Sequence, residues 1–246
     1  MKWSRNQLAK GLKVTIPVGV IVLGLLLFVE IADELIEKEI YVFDDAVISA
    51  VQQSISPTVT QIATYITFLG NAGTLFVFTV LLMTILVLLK RFALAIFIGA
   101  VNLTGGGLNW GMKALFSRDR PAYEVLIEQG GYSFPSGHAM SGLIFYGSLA
   151  IVLILLLDKL WKGTILSFIL SIIIFFIGLS RVYLGVHYPS DIVGGFALGI
   201  VWLTLCFSIY LVFLALRRRK DKKKKGEITN GIRSAAERRT ARTASK

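Results

Sequence analysis

The sequence predicts an all-α, polytopic membrane protein: a bundle of six transmembrane helices with short amphipathic helices on its outer face. Three observations carry this reading. Of the 246 residues, 55% are hydrophobic and only 17% are charged, with a mean hydropathy of +0.71, whereas an ordinary soluble domain carries about 25% charge. Several apolar runs reach the roughly 20 residues that span a hydrocarbon core. The basic residues are distributed with a strong bias between alternate loops. The same composition excludes a disordered or nucleic-acid-binding chain. The single Cys206 excludes an intrachain disulfide.

The spans are Val14–Ala32, Ala72–Leu89, Phe92–Trp110, Ala139–Leu157, Gly163–Leu179 and Ile192–Leu216. Each is hydrophobic all round, and in lipid only a helix satisfies its own backbone polar groups. The first follows Lys2, Arg5, Lys10 and Lys13 and resembles a signal peptide. Its apolar run is long and no small-residue cleavage site follows, so it reads as a retained anchor. Residues 1–13 form the N-terminal segment, 14–216 the membrane domain and 217–246 a tail. Within the domain, 31–70 is an outer-face amphipathic segment, not a seventh span. There Asp44 is suited to cap a short helix with Val47, Ile48 and Val51 on one face. Ser56-Pro57 opens a second helix, with Val59, Ile62, Ala63 and Ile66 at helical spacing.

Lys and Arg set the orientation. With both termini cytoplasmic, 21 of the 26 basic residues lie inside, and only Lys38, Lys113, Arg118, Arg120 and Arg181 lie outside, as the positive-inside rule demands. The tail holds 13 basic residues against Asp221, Glu227 and Glu237 and supplies most of the formal charge of +11. It lacks apolar residues to bury, so it is expected to be disordered and is suited to anionic inner-leaflet lipids. No obligate protein partner is implied.

Three outer clusters differ in kind from the other loops. Lys113 and Arg120-Pro121 close the third span. Pro135-Ser136-Gly137-His138 opens the fourth. Ser180-Arg181, His187 and Asp191 bridge the fifth and sixth. Both histidines of the chain fall within them, and the alternation of spans brings all three to one membrane face. An isolated histidine is most often structural, and an interfacial Lys or Arg is most often a snorkelling anchor. Convergence of two histidines, three cations and a carboxylate separates this case from those. Lys113, Arg120 and Arg181 beside a low-dielectric boundary call for a shared polar cavity and a multiply charged anion. Arg forks match phosphate oxygens. Ser136-Gly137-His138 starts a helix, where free N–H groups favour an anion. If the last helix begins near Tyr188, Asp191 meets His187, accepts its Nδ1–H and frees Nε2 as a nucleophile. His138 remains to act as the acid. Arg118, Asp119, Glu124 and Glu128 fit no pattern and read as solvated loop charge.

These residues, K-x6-RP, PSGH and SR-x5-H-x3-D, resemble the three-part motif of the type 2 phosphatidic acid phosphatase superfamily. That superfamily also includes glucose-6-phosphatase and vanadium haloperoxidases. The match is complete across Lys113–Asp191, and the span layout resembles the bacterial membrane branch of the phosphatidylglycerophosphatase B type. The resemblance implies that His187 forms a phosphohistidine, Asp191 orients it and His138 protonates the leaving oxygen. Lys113, Arg120, Ser136, Gly137 and Arg181 then cradle the phosphoryl oxygens, with no metal and no cofactor. It implies a lipid phosphate substrate, with phosphatidylglycerophosphate first and undecaprenyl diphosphate second, handled at the outer face of the cell membrane. The competing class is an anion or lipid transporter. Transporters place their sites near the midplane and show repeated halves; here the clusters sit at one interface and no repeat is visible.

Overall fold

Eight helices make up a computed structural model that describes the backbone of residues 5–122 and 125–244. They are α1 (Arg5–Glu37), α2 (Tyr41–Gln52), α3 (Pro57–Phe68), α4 (Ala72–Leu88), α5 (Phe92–Phe116), α6 (Gly137–Leu156), α7 (Leu160–Tyr183) and α8 (Pro189–Ala244). No strand occurs among the described residues, as the all-α prediction requires. The chain divides into two compact units, Met1–Cys206 and Phe207–Lys246.

α1, α5, α6, α7 and α8 each hold a stretch long and apolar enough to cross a membrane. The remaining span, α4, begins at the predicted Ala72 and ends one residue before the predicted Leu89. α4 has 17 residues, a length of about 25 Å, short of the ~30 Å hydrocarbon core. It is joined to α3 at a 45° bend, and the pair together is long and apolar enough for one broken span or a re-entrant loop. α3 leads directly into α4 through that bend. Its start follows the sequence signal: Ser56 is the N-cap, its side chain accepts the Val59 amide, and Pro57 is the first helical residue. α1 runs five residues past the predicted Ala32. α8 continues through the basic stretch expected to be disordered. Lys, Arg and Ala are good helix formers, and adding residues to a formed helix avoids the cost of nucleation.

α6 is central and packs against α4, α5 and α7, while α2 and α3 rest on α7. The core is apolar and closely fitted: Ile98, Ala139, Met140, Ile144 and Ile177 are fully buried. Outward-facing Leu23, Leu103 and Trp110 stay largely exposed, an apolar surface suited to lipid. α6 and α8 approach at backbone distance. A Cβ on Gly195 would lie 2.9 Å from the Ser136 carbonyl oxygen and 3.3 Å from the Met140 amide nitrogen, so only glycine fits. Gly195 and Gly199 form the small-x3-small spacing that lets membrane helices pack this closely. The contact seats the start of α6 against the start of α8.

Candidate active site

The α7–α8 turn builds one side of the site. Gly185 has φ +75°, a conformation open to glycine without steric cost. It reverses the chain after α7, and Pro189 opens α8 at the position where its missing N–H costs nothing. Asp191 lies in the first turn of α8, four residues after His187, as the spacing predicted. The His187 Nδ1 is 3.1 Å from Asp191 Oδ2, which also accepts the Tyr188 amide at 2.9 Å. Asp191 Oδ1 takes a 2.7 Å hydrogen bond from Arg118. With Nδ1–H facing the carboxylate, Nε2 presents its lone pair, 3.4 Å from an Arg120 N–H group. Burial lowers the His187 pKa to about 4 despite the opposing pull of Asp191. The ring is neutral at pH 7, the form a nucleophile needs.

The three predicted cations converge here. Lys113, in the last turn of α5, donates to the carbonyls of Tyr132 at 2.5 Å and Ser133 at 3.0 Å. Arg120 donates to the carbonyls of Gly130 and Gly131, both at 2.9 Å, and Val186 at 2.6 Å. Arg181, in the last turn of α7, is buried and donates to Thr67 Oγ1 at 2.6 Å and Gln129 Oε1 at 2.8 Å. Arg120 and Arg181 are near enough to act electrostatically on Lys113. Among the described residues none of the three pairs with a carboxylate, and Arg181 Nε, though buried, has no hydrogen-bond partner. Carbonyls, an amide and a hydroxyl hold these side chains in place without cancelling their charge.

Ser136 is the N-cap of α6, and its side chain accepts the Ala139 amide at 3.4 Å. Its own amide donates to the Asp191 carbonyl at 3.0 Å. The amides of Gly137 and His138 belong to the first helical turn, which has no intrahelical acceptor for them. His138 Nε2 is 2.7 Å from Asn71 Oδ1, and Asn71 is the N-cap of α4 at the bend after α3. His138, Asn71 and Gln129 line a cavity of about 750 Å³ whose other walls include Phe68, Thr74 and Phe78.

Arg118 corrects the sequence reading. It was expected to be solvated loop charge, yet its side chain is 2% exposed and bridges Asp44 and Asp191, each at 2.7 Å. Burial alone would lower its pKa, but the charges of Asp191 and Asp44 hold it above the ordinary value. Asp44 was expected to cap α2. Instead Ile40 stands at the N-cap, and Asp44 faces inward, fully buried. Asp119 and Glu128 are exposed, as loop charges should be; Glu124 lies outside the described residues. Thr67, Asn71 and Gln129 were also missed, since isolated neutral polar residues carry no spacing signal. Asp44 did carry one. With Ile48 and Val51 it recurs at i, i+4 and i+7, which places a carboxylate on an apolar face.

Residues 92–215 match the family model described as PAP2 superfamily. The chain is 31% identical over 159 residues to phosphatidylglycerophosphatase B of Bacillus subtilis, covering 64% of this chain and 78% of that protein. It is 36% identical over 84 residues to an undecaprenyl-diphosphatase of Sulfolobus acidocaldarius, covering 34% of this chain and 36% of that one. A crystal structure of a transmembrane PAP2-type phosphatidylglycerolphosphate phosphatase from Bacillus subtilis superposes with a TM-score of 0.69 at 29% identity. It covers 78% of this chain and 94% of that chain.

Proposed function

The chain belongs to the PAP2 superfamily, and we propose that it is an integral membrane phosphatase that converts phosphatidylglycerophosphate to phosphatidylglycerol. The observation that carries this reading is the His187 ring. It is held by Asp191 through Nδ1, with Nε2 directed at Arg120 within a cluster of uncancelled cations. A phosphate monoester seated on Lys113, Arg120 and Arg181, with the Gly137 and His138 amides beside it, presents phosphorus to Nε2. Ser136 shapes that helix start as its cap and adds a hydroxyl to the cradle. As the Nε2–P bond forms, the P–O bond to the lipid breaks and His138 gives a proton to the departing alkoxide. Water, giving a proton to His138, then attacks phosphorus, the P–N bond breaks and inorganic phosphate leaves. The fixed cations stabilise charge that develops on the phosphoryl oxygens.

The likeness to an undecaprenyl-diphosphatase favours undecaprenyl diphosphate as a second substrate, because the site recognises the phosphoryl group that both lipids share. Phosphate release from phosphatidylglycerophosphate, phosphatidic acid and undecaprenyl diphosphate in identical micelles decides between them. The expected order places phosphatidylglycerophosphate first; a higher kcat/KM for the diphosphate reverses the assignment, and release from none of them refutes the phosphatase reading.

The site opens to the outer face of the cell membrane with both termini in the cytoplasm, a reading supported by the distribution of Lys and Arg. Glu128 is exposed in the loop between α5 and α6. In a Cys206→Ser background, Glu128→Cys is expected to react with an impermeant thiol reagent in intact cells that lack an outer barrier. Labelling only after lysis reverses the orientation.

A further inference from the structure

We propose that Asp44, on the outer-face helix α2, is a positioning residue for the reaction, acting through Arg118 and Asp191 on His187. This rests on the reading of His187 as nucleophile. Asp44 lies outside the stretch 92–215 that matches the family model, and no part of the three-part motif points to it.

The contacts form one buried chain. Asp44 and Asp191 are fully buried, and the Arg118 side chain between them is 2% exposed. Arg118 Nη2 donates to Asp44 Oδ2 at 2.7 Å. Its Nη1 donates to Asp191 Oδ1 at 2.7 Å and to Ser190 Oγ at 2.8 Å. Asp44 also reaches the first turn of α8 directly. Its Oδ1 accepts the Ser190 amide at 2.9 Å, and its Oδ2 accepts the Ser190 hydroxyl at 2.6 Å. One carboxylate from a distant helix thus caps the turn that carries Asp191 and anchors the guanidinium that binds it. The guanidinium is confined in a third direction by the Tyr188 ring, 3.8 Å from its centre, and more loosely by Tyr41 at 5.0 Å.

Division of the guanidinium between two carboxylates has a chemical consequence. Arg118 gives Asp191 one hydrogen bond and takes only Oδ1, which leaves Oδ2 for His187 Nδ1 and the Tyr188 amide. Asp44, Arg118 and Asp191 together carry one net negative charge, so a full charge remains to support positive charge on the His187 ring as Nε2 bonds to phosphorus. Without the Asp44 charge, Arg118 is free to bind Asp191 through both nitrogens, as guanidinium and carboxylate prefer. That neutralises Asp191 and draws Oδ2 away from Nδ1. Asn at position 44 keeps the shape but removes the charge and sets an N–H against a donor, either the Ser190 amide or Arg118.

The test is a double-mutant cycle on the purified full chain, with phosphate release from a lipid phosphate as readout and thermal unfolding as control. Asp44→Asn is expected to lower kcat by about 10–100-fold with KM within twofold of wild type, the scale of a small misplacement at a reacting group. In an Asp191→Asn background the same change is expected to cost less than twofold, because the link it acts through is already broken. A purely structural role predicts the same fold loss in both backgrounds, and that result overturns the proposal. So does a kcat for Asp44→Asn within twofold of wild type. His187→Ala keeps the two readings apart. If it is inactive while Asp44→Asn is not impaired, only the positioning role fails; if it still turns over, the nucleophile assignment fails and the positioning role with it. Should Asp44→Asn not fold, Arg118→Lys, whose ammonium cannot span both carboxylates, is measured in the same cycle against the same criteria.

Discussion

His187 is held by charge and His138 by a neutral amide. His187 is almost fully buried, with Asp191 on Nδ1 and Arg118 and Asp44 behind that carboxylate. His138 is half-buried, bonded to Asn71 and on the wall of a cavity of about 750 Å³. A ring that must bond covalently to phosphorus at one angle benefits from a rigid, charged support that also stabilises its cationic form. A ring that passes a proton to a departing group benefits from a partner that imposes no charge, and from open space beside it for the group that departs. In the proposed mechanism, two histidines within one cation cluster are thus suited to different tasks by their neighbours.

The sharpest break of this comparison is His187→Ala, expected to lower turnover by more than about 10⁴-fold, as loss of a nucleophile does. Acid-labile incorporation of radioactive phosphate should vanish with it; label still trapped on that variant assigns the nucleophile elsewhere. Next is His138→Ala. On a lipid phosphate, whose alkoxide needs a proton, the loss should be about 10²–10⁴-fold. On an aryl phosphate, whose leaving group departs unaided, it should be far smaller. Equal losses on both substrates remove the acid role. The smallest effect is a titration. Because the chain has only two histidines, ¹⁵N spectra of histidine-labelled protein resolve both, with His138→Ala giving the assignment. The His187 pKa lies below its unfolded value, so the neutral ring is present above about pH 4 and protonates as pH falls through that value. Between the ordinary pKa of 6.5 and about 4 the unfolded chain binds the extra proton, so this group makes stability decline as pH drops across that window. Protonation near 6.5 instead shows that burial does not govern the ring.

Much of this site was legible before the fold was known, because its chemistry is local. His187 and Asp191 are four residues apart, and Pro189 marks the helix start between them. Ser136-Gly137-His138 opens an apolar run and reads as a helix start. The spans were equally local, since a run of apolar residues either is long enough to cross or is not. α4 shows the limit of that logic: its run is apolar but short, and it reaches crossing length only as a bent pair with α3. Arg118 shows the other limit. It lies two residues before Arg120 in the same polar loop, and nothing in the local sequence shows that it meets Asp44, 74 residues away.

The sequence alone determined that the chain is a helical membrane protein with two histidines, three cations and a carboxylate at one face. Those properties depend on composition, periodicity and the one-dimensional alternation of spans. Tertiary structure decided which charges cancel. Lys113, Arg120 and Arg181 meet only neutral groups and keep their charge uncancelled, while the charge of Arg118 is offset by Asp44, 74 residues away in the chain. A buried charge needs hydrogen-bond partners, and only one of opposite sign cancels it; which partner is within reach is a property of packed helices, not of neighbouring residues in the chain.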